Sequence, residues 1–404
     1  MIFKIKLHWQ ILIALVAAIA FGYFFPDWIP YVSWMGVVFL RGLNMVVVPL
    51  ILSSIISGVS SVGGGSNLGR LGFKTIGFYI ATSLVAILTG LFFVNLFKPG
   101  TGANLGNAST VTTPEVSKSA SDILIRVIPD NVIDAMANGQ ILPVIFFAIL
   151  FGFFITQIQT EKQQILTRFF DSFFEVMMKI TTFVIQFTPL GVFAIVAKEV
   201  AKNAGSLGNI AGSLGIYMLT VLLALIIHGG VILPLLVKFM GKANPYKHFR
   251  NMATPLLTAF STSSSNAALP LSMVAVEEKD GVSGKITSFT LPLGATINMN
   301  GTALYECVAV IFIAQAYGID LTIGQQVIIV LTALLAAIGS AGIPMAGLVM
   351  MSIVLTAVNL PLEGIGLILA VDRILDMSRT TVNVWGDTCA AVIIAKSEGE
   401  TLNV

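Results

Sequence analysis

The sequence predicts an all-α polytopic membrane protein, and three observations predict it. Of 404 residues, 56% are hydrophobic and only 10% are charged, where ordinary soluble domains carry about 25% charged residues. Mean hydropathy is +0.92. Apolar runs near the roughly 20 residues that a helix needs to cross a bilayer recur along the chain, at 9–25, 31–62, 75–97, 129–158, 173–197, 208–240, 286–317 and 364–396. Lys plus Arg number 22 and Asp plus Glu 20, so no bulk charge points to nucleic acid or to an acidic partner.

Each element has its own justification. The first run follows MIFKIK, and Ala18-Ile19-Ala20 imitates a cleavage site; with so many spans following, it reads as a retained first helix rather than a signal sequence. After the third run comes KPGTGANLGNASTVTTPEVSKSAS, 98–121, a long polar connection expected to be a flexible external loop without chemistry. Two further apolar stretches, 250–277 and 325–358, are interrupted by TSSSNAALP and GSAGIPMAG. Small, polar and proline-containing tips suit a chain that enters the membrane and turns back. Non-helical backbone at that depth is tolerated only where protein or a water-filled cavity satisfies it, so both tips are expected to line a site. Paired broken segments are the sequence sign of a secondary transporter built from inverted repeats, although no repeat is visible as identity.

Orientation follows from the cations, because cytoplasmic loops hold the excess of Lys and Arg. With the N-terminus inside, Lys4, Lys6, Arg70, Lys74, Lys162, Arg168, Lys238, Lys242, Lys247, Arg250, Lys279, Lys285 and Lys396 fall on the cytoplasmic side, against Lys98, Lys118, Arg126, Lys198 and Lys202 outside. The first hairpin then enters from the cytoplasm and the second from outside, and both termini are cytoplasmic. Boundaries follow at 1–74 (helices 1 and 2), 75–122 (helix 3 and the external loop), 123–207 (helices 4 and 5), 208–246 (helix 6), 247–285 (first hairpin), 286–320 (helix 7), 321–360 (second hairpin) and 361–404 (helix 8 and tail).

Several chemistries are disfavoured. Cys307 and Cys389 with His8, His228 and His248 make no metal-ligand spacing. No GxxxxGK[ST] phosphate loop is present, so energy from ATP would have to come from another chain.

The last apolar stretch contains DRILDMSRTTVNVWGD, 372–387. Asp, Lys or Arg at the centre of a membrane helix costs about 2.5–3.5 kcal/mol each, so Asp372, Arg373, Asp376, Arg379 and Asp387 cost about 12–17 kcal/mol. The aliphatic residues of the same stretch return only about 4–8 kcal/mol. The charges must therefore face protein, water or ligand. Asp372, Asp376, Arg379, Thr380, Asn383 and Asp387 fall on one stripe at 3.6 residues per turn, a polar surface to set against the two tips. An internal ion-pair network that only holds helices together is the plainer alternative, but intramembrane charge marks a pathway or site by default. A two-aspartate membrane protease is disfavoured, since the best aspartates share one helix and Val384-Trp385-Gly386-Asp387 lacks the first glycine of a GxGD signature.

TSSSNAALP (262–270), NMNGTALYE (298–306), AGIPMAG (341–347) and DMSRTTVNVWGD (376–387) resemble, in order and spacing, the dicarboxylate/amino acid:cation symporters. That family includes archaeal aspartate transporters, bacterial glutamate symporters and mammalian excitatory amino-acid transporters. The resemblance covers nearly the whole chain. It implies eight transmembrane helices plus two re-entrant hairpins, inverted repeats, and a homotrimer in the plasma (inner) membrane. It also implies an elevator motion of a transport domain against a scaffold of helices 1, 2, 4 and 5.

By position, the resemblance assigns Arg379 to the side-chain carboxylate of the substrate and Asp376 to its amino group. A guanidinium fork matches a carboxylate, and a carboxylate suits an ammonium. Asn383, Thr302 and Thr380 match further polar contacts. Ser264, Ser265 and Asn266 at the first tip match positions whose amides face the α-carboxylate. Gly342, Ile343, Pro344, Ala346 and Gly347 form the matching wall of the second. Keeping Asp376 favours an amino acid over a C4-dicarboxylate, and keeping Arg379 favours glutamate or aspartate over neutral amino acids. The implied function is sodium-coupled import of acidic amino acids, not an enzymatic reaction, with no organic cofactor. A proton-coupled glutamate symporter, a C4-dicarboxylate carrier and a ligand-gated channel are the alternatives.

The implied cation sites are threefold. One uses carbonyls of Gly294, Asn298 and Asn383 with the Asp387 carboxylate, an oxygen-only set suited to a hard cation such as Na+. A second uses Thr296, Ala337, Ile338 and Ser340. A third uses Tyr79, Thr82, Ser83 and Asn298 with Asn300, where the family pattern has an aspartate; losing that carboxylate weakens the third site. Glu306 stands where mammalian members carry a proton-carrying glutamate. Arg373 stands where the archaeal pattern has a small residue, and Ser263 where it has an arginine, so Arg373 is expected to restore that charge from the neighbouring helix.

Overall fold

The computed structural model describes residues 7–60, 66–103, 128–202, 207–338 and 346–404, and every regular element among them is helical. Helix α1 (Leu7–Phe24) passes through a 3-10 turn at Pro26–Trp28 into α2 (Ile29–Ser60), and α3 (Ser66–Phe97) follows. Pro26 opens its turn at a position whose N–H would have no partner anyway. At 32 residues each, α2 and α3 are about 48 Å long, well beyond the roughly 30 Å of a hydrocarbon core.

The run expected as one span at 129–158 is divided. Helix α4 (Val132–Ala137) starts where the Asn131 side chain accepts from the N–H groups of Ile133 and Asp134. The chain then turns at Gly139, φ +64°, before the 15-residue α5 (Ile141–Ile155). The next expected span, 173–197, starts earlier and bends: α6 (Thr160–Gln186) meets α7 (Thr188–Lys202) at 49°. Pro189, in the first turn of α7, lacks the N–H that would continue the ladder. Helix α8 (Leu207–Ile227) runs through a π turn, His228–Ile232, into α9 (Leu233–Phe239); Gly229, Gly230 and Pro234 supply the local misfit.

The first interrupted stretch is a helix pair as expected. After α10 (Pro245–Asn251), α11 (Ala253–Thr262) stops at Ser263, which adopts φ 52° and ψ 38°, and α12 (Ser265–Ala275) starts with Ser264 as its N-cap. The run 286–317, expected to be continuous, is broken: α13 (Gly284–Ile297) and α14 (Asn300–Ala316) are separated by Asn298 and Met299, with Asn298 at φ −95°, ψ 72°. Asparagines at 298 and 300 offer local side-chain hydrogen bonds in place of the lost helical ones. The second interrupted stretch gives α15 (Ile323–Ile338) and α16 (Ala346–Ala357). Its tip, with Ser340, Gly342, Ile343 and Pro344, lies outside the described residues, as does residue 104 onward of the expected external loop. The chain closes with the 33-residue α17 (Ile365–Ser397).

Among the described residues, four helical stretches are long and apolar enough to cross a membrane, Pro26–Ser60, Arg70–Phe97, Ala211–Phe239 and Gly284–Ala316, with the bent pair α6–α7 as a fifth. Eight were expected. Helices α1 and α5 fall short in length, and α17 is long enough but dense in charge.

Packing places α17 at the centre of the second half of the chain. Helices α1, α2, α5, α6 and α7 pack on one another, while α17 packs on α8, α9 and α11–α14. Helix α14 is buried along its whole length except at Gln315. One apolar cluster surrounds α14 with α2, α5 and α16; a second joins α9 and α11–α13 to the C-terminal half of α17.

Candidate functional site

The stripe on α17 faces inward. Asp372, Asp376, Arg379, Thr380, Asn383 and Asp387 are all buried, with Arg379 only 1% exposed. Helical spacing lets the charges meet: Arg379 Nη1 lies 3.0 Å from Asp372 Oδ1, two turns back, and Nη2 lies 2.8 Å from Asp376 Oδ1, one turn back. Arg373 Nη1 is 4.0 Å from Asp376 Oδ2. Two arginines and two aspartates thus form one charge-balanced group. Such a group avoids the penalty of several kcal/mol that an unpaired buried ion incurs, about 3–5 kcal/mol when one partner is removed. The Tyr305 hydroxyl, from α14, donates to Asp372 Oδ1 at 2.7 Å, and the Tyr305 ring lies under the Arg379 guanidinium at 4.2 Å.

Both helix pairs reach this group. Arg373 donates to Ser263 Oγ at 2.9 Å, so the arginine does reach the first turn from the neighbouring helix. Ser264 and Ser265 follow that turn, Ser265 buried and Asn266 exposed. From the second pair, α16 begins at Ala346, and Gly347 faces Arg379 so closely that a Cβ there would lie 2.8 Å from Nη2. Glycine is what permits the guanidinium to lie against this backbone.

One turn further along α17, Asn383 ties the helix to the break before α14. Its Oδ1 accepts from Gly301 N at 2.7 Å and Thr302 N at 3.4 Å, and its Nδ2 donates to Thr302 Oγ1 at 3.0 Å and contacts Met299 Sδ at 3.2 Å. Those two N–H groups belong to the first turn of α14, which has no helical acceptor for them. Thr380 is buried on the same face, with no side-chain hydrogen bond among the described residues.

Asp387 lies beside the same break. Asn298 Nδ2 donates to its Oδ1 at 2.8 Å. A Cβ on Gly294 would sit 2.5 Å from that oxygen and 2.8 Å from the Tyr79 hydroxyl, so glycine is required here too. The Gly294 carbonyl accepts from Asn298 N at 2.9 Å, leaving one lone pair free. Asn298 Oδ1 has no hydrogen-bond partner among the described residues. Tyr79 donates to Thr290 O at 2.8 Å and Thr82 to Phe78 O at 2.9 Å. Ser83 donates to Asn300 Oδ1 at 2.7 Å, and Asn300 Nδ2 has no partner among the described residues. Of the remaining expected ligands, Thr296 Oγ1 donates to Leu293 O at 3.0 Å. Ala337 and Ile338 end α15, where the last carbonyls have no helical donor. The oxygens around Asp387 and the chain break suit a sodium-sized hard cation.

Glu306, one residue after Tyr305, is fully buried, and neither carboxylate oxygen has a hydrogen-bond partner among the described residues. A negative charge there would stand without a donor.

Three participants escaped the site reading of the sequence. Asp372 was visible on the stripe but not as the partner of Arg379, although it lies one helical turn before Asp376. Tyr305 lies three residues after Thr302, on the same face of α14. Met299 carried no signal.

The sodium:dicarboxylate symporter family pattern matches residues 7–397. The chain is 36% identical over 414 residues to the proton/glutamate-aspartate symporter of Escherichia coli (strain K12), covering 98% of this chain and 93% of that protein. To the proton/sodium-glutamate symport protein of Geobacillus stearothermophilus it is 37% identical over 410 residues, covering 98% and 96%. To the human excitatory amino acid transporter 3 it is 38% identical over 419 residues, covering 91% and 79%. With a buried, charge-balanced helix set between two helix pairs and a family match over residues 7–397, the chain belongs to the sodium:dicarboxylate symporter family.

Proposed function

We propose that this protein is a secondary active symporter that imports glutamate or aspartate with sodium, Glu306 adding a proton. The observation that carries the reading is the adjacent, buried Arg379–Asp376 pair. An acidic amino acid offers a carboxylate to the arginine and an ammonium to the aspartate, so binding replaces one internal ion pair by two complementary pairs with the ligand. A C4-dicarboxylate has nothing for Asp376 and would leave it uncompensated. Symporter relatives favour a carrier over an enzyme.

Ser264, Ser265 and Asn266 of the first turn, Thr302, Thr380 and Asn383, and the second tip complete the proposed substrate site. The proposed sodium sites are Gly294, Asn298, Asn383 and Asp387; Thr296, Ala337, Ile338 and Ser340; and, weaker without a carboxylate at Asn300, Tyr79, Thr82, Ser83 and Asn298. Eight membrane helices, two re-entrant hairpins and a homotrimer complete the proposal, in the inner membrane with both termini cytoplasmic. Helices α1, α2 and α5–α7 pack mainly on one another and meet the helices around α17 chiefly through α7 and α16, an arrangement that supports an elevator motion of the second group against the first.

The test is radiolabelled uptake into proteoliposomes with sodium and proton gradients imposed separately. Accumulation of glutamate or aspartate under an inward sodium gradient, competed by neither succinate nor malate, is expected. Full-rate accumulation with choline in place of sodium at a fixed inward proton gradient would overturn the sodium assignment, and succinate accumulation would overturn the substrate.

A further inference from the structure

The side of α17 turned away from the charged stripe carries Trp385, two residues after Asn383 and two before Asp387. Its indole is held on three sides. The N–H donates to Gly229 O in the π turn at 2.9 Å, His248 stacks on it at 4.7 Å and 26°, and Phe249 meets it edge-on at 5.5 Å. His248 is itself fixed, its Nδ1 2.6 Å from Asp280 Oδ2, while Asn251 donates to Asp280 Oδ1 at 2.7 Å.

This braced indole lines a cavity of about 680 Å³ between the π turn, α9 and α10, a volume within the usual range of ligand pockets. The inner wall is apolar and shallow in side chains: a Cβ on Gly230 would meet nothing within 4 Å. Lys238, Tyr246 and Phe249 line it and are exposed. Residues 238–250 hold Lys238, Lys242, Lys247 and Arg250 and no acidic side chain. Neither Lys238 nor Lys242 forms an ion pair among the described residues. A lysine on the wall within a basic segment, an aromatic edge and an apolar floor are the features of a site for an anionic amphiphile at a membrane surface: basic side chains attract anionic headgroups, and aromatic rings settle at the interface.

We propose that this cavity binds an anionic phospholipid of the leaflet faced by α9 and α10, its phosphate against Lys238 and an acyl chain along Gly229 and Gly230 to the Trp385 indole. Because Trp385 lies between Asn383 and Asp387 on one rigid helix, an occupant bears directly on the part of α17 that holds both. The site stands independently of which amino acid is carried.

The test uses the full chain with Trp9→Phe, Trp28→Phe and Trp34→Phe, leaving Trp385 as the one indole of four, reconstituted in phosphatidylcholine vesicles. Phosphatidylglycerol or phosphatidylcholine brominated at the same acyl position is titrated in, and quenching of Trp385 is read. Brominated phosphatidylglycerol is expected to quench at a several-fold lower mole fraction than brominated phosphatidylcholine. Lys238→Gln should shrink that difference about fivefold, the factor expected from one basic side chain near an anionic surface. Gly230→Leu, whose Cβ would meet nothing within 4 Å, should fill the groove and abolish quenching by both lipids, with an unshifted emission maximum reporting that the indole is still braced. Equal quenching by the two lipids, unaltered by Lys238→Gln, would mean general bilayer contact and overturn the proposal, as would full quenching in Gly230→Leu.

Discussion

The hydroxyl of Tyr305 and the guanidinium of Arg379 converge on one oxygen, Asp372 Oδ1, at 2.7 Å and 3.0 Å, while the Tyr305 ring supports the guanidinium from below. The phenol therefore shares the burden of neutralising Asp372, which leaves Arg379 freer to engage a ligand. Tyr305→Phe keeps the ring and removes the donor, so Asp372 should hold Arg379 harder. A hydrogen bond to a charged group contributes about 1.5–3 kcal/mol, and a loss of acidic-substrate affinity of about tenfold or more is expected by equilibrium binding. Wild-type affinity in Tyr305→Phe would show that the hydroxyl does not tune the arginine.

Arg379→Ala should remove acidic-substrate binding altogether. Buried Asp372 then loses its counter-ion and Asp376 the nearer of its two, at about 3–5 kcal/mol, or roughly two to four decades of affinity. Thermal stability should fall as well, and neutral amino acids should compete better than glutamate in the variant. Competition binding against serine, glutamate and aspartate checks both outcomes.

Sodium dependence should answer to the two positions flanking the break. Asp387→Asn should flatten the dependence of substrate binding on sodium, because the only carboxylate among the oxygens there is removed. Asn300→Asp should steepen it, by adding a charge beside Ser83 where a neutral amide now stands. Hill slopes from binding titrations in sodium, at constant ionic strength with choline, provide the measurement; unchanged slopes in both variants would contradict the assignment.

Glu306→Gln should abolish the dependence of uptake on an imposed pH gradient while sodium-driven exchange of labelled for unlabelled substrate continues. The amide keeps the volume and removes the exchangeable proton. Retained response to the pH gradient would move the proton elsewhere.

Outside the membrane-spanning part, Glu398 ties the end of α17 to the start of α3, 2.6 Å from Lys74 and 2.5 Å from Arg70. Its hydrogen bond from Lys74, with lesser help from Arg70, holds its carboxyl below the usual value of 4.5. The tie is therefore fully present above that value and is lost as pH falls through the depressed one. Hydrogen exchange of residues 398–404 should accelerate on acidification through that window, and Glu398→Gln should show the fast rate already at neutral pH. Both partners are exposed enough for solvent to screen the pair, so global stability should change little.

The fold class, the two broken stretches and the buried stripe were legible because each rests on a one-dimensional signal: hydropathy, interruption by small and polar residues, and helical period. Arg373 was correctly expected to reach Ser263, since a missing charge on one element invites one on its neighbour. The break at Asn298–Met299 was not legible, because apolar residues continue on both sides of it and only the two asparagines hint at a lost helical bond. The division of the 129–158 run at Gly139 was hidden in the same way. Tyr305 was missed because an aromatic residue on a fully buried helix ordinarily reads as packing; its role depends on which side chain of another helix lies over it.

The charge balance of Arg373, Arg379, Asp372 and Asp376 has an electrical consequence. A group with no net charge does no work when displaced through a membrane potential, where one elementary charge exchanges about 2.3 kcal/mol per 100 mV. An acidic amino acid brings a net charge of −1, so carrying it inward against an interior-negative voltage is uphill by that amount. One monovalent cation carried with it makes the net transport of a full cycle electroneutral, and each further cation lets the voltage itself pull substrate in. The steepness of uptake against an imposed potassium diffusion potential would then count the cations that travel beyond the first.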